Sequence, residues 1–125
     1  MPALRNLTNG ATIASDVTRA EGWWQKTVGL LGRRVIAPSQ GIWLDRCGAI
    51  HTLGMSCAID VLFVDHDGCV LEIRYGVRPF LFVVTCPNAA GVIELGETQE
   101  RPRPVSPGDC VILTDAEDST TSSGV

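Results

Sequence analysis

Residues 59–75 constrain the fold more than any other stretch of this chain. The run Ile59-Asp60-Val61-Leu62-Phe63-Val64 meets Asp65-His66-Asp67-Gly68 and continues as Cys69-Val70-Leu71-Glu72-Ile73-Arg74-Tyr75. Asp-Gly supplies the positive φ angles of a tight turn, so two antiparallel strands are predicted around it. The second strand alternates, with Cys69, Leu71, Ile73 and Tyr75 on one face and Val70, Glu72 and Arg74 on the other. One of its faces is therefore expected to meet solvent. The first strand is apolar on both faces apart from Asp60, as a strand inside a core would be.

Further strands are predicted at 11–17, 42–44, 81–85, 91–95 and 110–113, the last preceded by the type II turn sequence Ser106-Pro107-Gly108-Asp109. One helix is predicted over 23–34, where Trp23, Thr27, Leu30 and Trp24, Val28, Leu31 follow i, i+4, i+7 spacing. Arg33 and Arg34 suit the negative end of its dipole. The expected fold is mainly β (α+β): a curled antiparallel sheet, half-barrel or sandwich, with one principal helix. A chain of 125 residues has room for one core. A single domain over 1–114 is expected, with a disordered, acidic, Ser/Thr-rich tail over 115–125.

The net charge is −4, and the tail's Asp115, Glu117 and Asp118 carry most of it. The body is nearly neutral and holds no large basic cluster, which argues against nucleic acid as a partner. No run reaches the ~18 apolar residues of a membrane span, and the start lacks a secretory leader. The expectation is a cytoplasmic, bacterial protein that does not insert into membranes, its oligomeric state open. Five cysteines, at 47, 57, 69, 86 and 110, show no C-x-x-C spacing, and their odd number excludes a fully paired framework within one chain. Reduced, mostly buried thiols are the expectation.

Chemistry concentrates in Cys47-Gly-Ala-Ile-His51-Thr52-Leu-Gly-Met55-Ser-Cys57-Ala-Ile-Asp60. An unpaired buried carboxylate is costly, so Asp60 is expected to accept hydrogen bonds from backbone amides, His51, Thr52 or an arginine such as Arg74 or Arg78. It would either lock the His51 loop to the sheet or orient His51. Cys47, His51 and Met55 resemble a blue-copper ligand order, but a second His is missing before His51. Zinc through Cys47, His51 and Cys57 lacks a fourth ligand. Cys47–His51 with Asp60 is the enzyme reading, a cysteine-dependent hydrolase or transferase, and it lacks an identified oxyanion hole. Asp65 and Asp67 are turn residues rather than calcium ligands.

Six motifs occur in one order: Gly29-Leu-Leu-Gly-Arg33, Ile50-His51-Thr-Leu-Gly-Met55, Ile59 to Gly68, Arg78-Pro79-Phe80, Val92-Ile-Glu94-Leu95-Gly96 and Pro107-Gly-Asp109. Over residues 10–113 the chain resembles the bacterial and archaeal family called domain of unknown function 192. The resemblance implies a small β-rich sandwich or half-barrel with one helix and no established activity. It also implies relatives that are often exported or membrane-tethered.

The preferred reading is a binding or accessory domain without cofactor or metal. Its pocket would be built from Cys47, His51, Thr52, Met55, Asp60 and Arg78, with Trp43 at the rim, and would take a small molecule or a partner's peptide.

Overall fold

The computed structural model describes residues 2–20, 36–45, 49–50, 57–78 and 84–115. Among them, strands occur in the order β1 (Pro2–Asn6), β2 (Thr12–Ala14), β3 (Asp16–Ala20), β4 (Gln40–Asp45), β5 (Ala49–Ile50), β6 (Ile59–Val64), β7 (Val70–Val77), β8 (Val84–Thr85), β9 (Gly91–Gly96) and β10 (Val111–Asp115). No helix occurs among the described residues; the helix predicted over 23–34 lies outside them. The mainly β expectation holds.

The strands form a five-stranded sheet ordered β3-β4-β9-β6-β7, a three-stranded sheet ordered β10-β1-β2, and a β5-β8 ribbon. Neither larger sheet closes on itself. The sheets are largely antiparallel, as expected, with one parallel pair, β3 beside β4. Parallel neighbours need a crossover, and residues 21–39 supply its length. Ser15 separates β2 from β3, splitting the strand expected over 11–17 between the two sheets. β1 is not among the predicted strands; it pairs with β10 along its whole length.

The five-stranded sheet is apolar on both faces, so β6 and β9 are buried at every position. One face carries Trp43, Leu62, Val64, Ile93 and Leu95 against Leu4, Ile13, Ala14 and Val111 of the smaller sheet. The other carries Ile42, Leu44, Ile59, Val61, Phe63 and Val92, with Ile36, Val77 and Cys86 packed on it.

The predicted hairpin forms around Asp65–Gly68, where Gly68 takes φ 81°. Two bulges interrupt its register, and they reset the clean alternation expected of β7. Phe63 opposes Glu72 and Val64 opposes Val70, so Leu71 is extra and stays exposed, while Val70 and Ile73 join the same core layer.

Cys69 and Cys110 form a disulfide, which corrects the expectation of reduced thiols at those two positions. They are 41 residues apart in sequence and meet across an isolated antiparallel bridge between the hairpin and the approach to β10. Local spacing carries no trace of such a pairing.

Candidate functional site

Asp60 points from β6 into the layer between the two larger sheets, beside its β9 neighbour Leu95. It is fully buried, as expected. Its Oδ1 accepts the Gly76 N–H at 2.9 Å. Its Oδ2 accepts the Thr98 N–H at 3.0 Å, Arg103 Nε at 3.0 Å and Arg103 Nη2 at 2.8 Å. Arg103 completes its own set with Pro38 O through Nη1 at 2.9 Å and with Gly96 O through Nη2. Its backbone N–H donates to the Tyr75 hydroxyl at 2.9 Å.

The backbone-amide partners were anticipated in kind. The arginine was not: it is Arg103 rather than Arg74 or Arg78. The second bulge of the hairpin makes this arrangement, because two residues of β7, Tyr75 and Gly76, oppose Asp60. Gly76 adopts φ 62°, which turns its N–H toward the carboxylate. The clasp thereby ties residues 96–103 to the sheet.

Glu94 occupies the middle of the same sheet and faces the other way. It lies between Ile42 of β4 and Val61 of β6, and Val61 in turn opposes Arg74 of β7. One row across the face thus reads Ile42, Glu94, Val61, Arg74. Glu94 is 7% exposed, and it has no hydrogen-bond or ion-pair partner among the described residues. Burial alone pushes its carboxyl up to about 7. Arg74 pairs with Glu72 and lies 5.5 Å from the Phe63 ring centroid. Burial also pushes the Cys86 thiol up, with Glu72 adding to the effect and Arg74 opposing it. A thiol held protonated is a poor nucleophile.

Of the six residues expected at the site, Asp60 and Arg78 are described, and Cys47, His51, Thr52 and Met55 lie outside the described residues. Asp60 serves the Arg103 clasp, while Arg78 is exposed just after β7. The segment holding the other four is bracketed by described pieces. Its Ala49–Ile50 pairs with Val84–Thr85, next to Cys86, and Cys57 packs on the cluster that contains Ile42 and Val61. These attachments belong to the face that carries Glu94. Among the described residues no three His, Cys, Asp or Glu side chains gather to hold a metal ion.

Glu94 was missed as a site residue, although its signal equals that of Asp60: one acid inside an apolar strand sequence. Arg103 stood out only as one of two spaced arginines among prolines.

A cleft of about 870 Å³ opens at the other end of the sandwich, away from both acids. Trp43, Asp45, Asp65, His66 and Ile112 line it with Arg19, which pairs with Asp45 at 3.1 Å and stacks 4.4 Å from the Trp43 ring centroid. Trp43 itself is 4% exposed, so the expected rim residue is a core residue that borders this cleft.

Solved structures share this architecture. A candidate transcription regulator from Sinorhizobium meliloti 1021 is 26% identical, with a TM-score of 0.74 over 90% of this chain and 91% of that one. A protein of unknown function from Novosphingobium aromaticivorans DSM 12444 is 18% identical, with a TM-score of 0.71 over 90% of this chain and 84% of that one. No curated protein matches the sequence. The DUF192 family, described as an uncharacterized ACR, matches residues 5–113, and the chain belongs to that family.

Proposed function

We propose that this protein is a non-enzymatic binding domain whose ligand is received on the Glu94 face of the five-stranded sheet. The observation that carries the reading is a carboxyl on a residue only 7% exposed, in the middle of an apolar face and without a partner among the described residues; since no fully sealed side-chain oxygen there goes unbonded, this carboxyl keeps a narrow contact with the surface. Taking most of such a group out of water without a partner is costly, so folded proteins usually satisfy it or use it. A ligand that donates a hydrogen bond and carries an apolar body would complete it. The expected residues Cys47, His51, Thr52 and Met55 belong to the same reading as one wall, since the described ends of their segment attach to that face. In this reading Asp60 holds the scaffold and does not touch the ligand.

Charge favours a small molecule or a peptide over nucleic acid. The net charge of −4 offers no polyanion-binding surface. The likeness to a candidate regulator at 26% identity does not alter that balance.

A thermal-shift screen of primary amines, amino acids and short peptides tests the reading. At least one compound is expected to raise the melting temperature of the natural protein, with the shift lost in Glu94→Gln and weakened in His51→Ala. Turnover of an ester or thioester that depends on Cys47 would overturn it in favour of the hydrolase or transferase alternative. Cu(I) binding that is lost with Met55→Leu would overturn it in favour of a metal carrier.

A further inference from the structure

We propose that the Cys69–Cys110 bond is a thiol–disulfide exchange site, opened by small-molecule thiols and reclosed by small-molecule disulfides while the domain stays folded. The bond joins the turn end of the β6–β7 hairpin to the entry of β10, and so links the two larger sheets. Neither cysteine is fully buried. Both are partly exposed to solvent, and that exposure is the route by which a reagent reaches the bond.

The junction does not depend on the sulfur bridge alone. Val111 N–H donates to Gly68 O at 2.9 Å, Val70 N–H to Asp109 O at 2.7 Å, and Gly108 N–H to Val70 O at 2.8 Å. Each cysteine is also anchored by its own main chain. The Cys69 N–H donates to Asp65 Oδ1 at 2.9 Å, the Cys110 N–H donates to Thr8 Oγ1 at 3.1 Å, and the Cys110 carbonyl accepts the Leu7 N–H at 2.8 Å. Val70 and Val111, at 2% and 3% exposure, pack in one core layer beside them. All of these contacts survive cleavage of the sulfur bond and keep the two thiols opposed.

Opening takes two external thiols. The first, as its thiolate, attacks one cysteine sulfur and forms a mixed disulfide, and the other cysteine departs as a thiolate that takes a proton. The second external thiolate attacks the mixed disulfide at the external sulfur. The second cysteine is released, and the reductant leaves as its own disulfide, having supplied both electrons. Closure by oxidised glutathione is the reverse exchange. A reducing compartment holds the junction open and an oxidising one holds it closed. The turn over Asp65–Gly68 is the part of the cleft wall that this change loosens.

The full chain is treated with dithiothreitol in native buffer, alkylated with iodoacetamide and mapped by mass spectrometry, with circular dichroism recorded alongside. Cys69 and Cys110 are expected to pass together from unlabelled to fully labelled with an unchanged spectrum, and oxidised glutathione should reverse this. Amide exchange across 65–70 and 108–113 should quicken roughly tenfold on reduction, and little elsewhere. Three results would overturn the proposal: labelling only after urea, loss of the native spectrum on reduction, or two thiols that oxidised glutathione never closes. The Cys69→Ser/Cys110→Ser double variant should fold and match the reduced exchange pattern. A variant that cannot fold would mark the bond as an obligatory staple, and that too would overturn the proposal.

Discussion

Asp60 on β6 and Glu94 on β9 are buried carboxyls on adjacent strands of one sheet, and they keep opposite company. Asp60 faces the layer between the sheets and accepts four hydrogen bonds, two of them from one arginine. Glu94 faces the other layer, between Ile42 and Val61, with no partner among the described residues. A saturated acid has its capacity committed to the fold. An acid with no partner among the described residues has that capacity open, which is why the proposed ligand is placed there. Depth of burial does not separate the two, since both are nearly inaccessible; the partners do.

Removing the clasp's cation should have the largest effect. Arg103→Ala leaves Asp60 buried without its counter-charge, and should lower stability by about 3–5 kcal/mol in urea unfolding. A loss below about 1 kcal/mol would erase the contrast between the two acids. Glu94 should respond to pH instead. Its carboxyl sits at about 7 in the folded protein against a usual 4.5, so the folded state holds the proton more tightly than the unfolded chain. Its contribution is fully present below pH 4.5 and is lost as pH rises through 7, a difference of roughly 3 kcal/mol. Unfolding from pH 4 to pH 8 should therefore show a decline that Glu94→Gln flattens, and parallel curves for the two proteins would contradict the assignment. The smallest effect is expected at the bulge. Gly76→Ala places a Cβ at φ 62°, 2.8 Å from Glu97 Oε2 and 2.9 Å from Arg101 Nη2, at a cost of about 1–2 kcal/mol. An unchanged melting temperature would mean the bulge does not aim the Gly76 N–H at Asp60.

The hairpin was legible because its turn chemistry and its apolar run are both local. β4, β9 and the Ser106–Asp109 turn were legible for the same reason, the turn closing with the Asp109 N–H on Ser106 O at 3.0 Å. β1 was not, since Pro2–Asn6 alternates weakly and becomes a strand by pairing with β10 more than 100 residues away. The Asp60 partner was invisible for a related reason: Arg103 lies 43 residues on, in a segment without periodicity. Burial of Asp60 could be read from its neighbours, while the identity of its counter-ion is a matter of topology. The same holds for Cys69 and Cys110, whose bond follows from strand register rather than spacing. Bulges are likewise silent in a binary pattern, and one of them moved Leu71 to solvent against the expected alternation.

Isotope-edited carbon NMR of the side-chain carboxyls, with the Glu94 signal assigned by its loss in Glu94→Gln, reads the central claim directly. A buried acid awaiting a partner should titrate with a midpoint near 7. A midpoint at the ordinary 4.5 would show that Glu94 is already solvated or paired, and the proposed binding face would go with it.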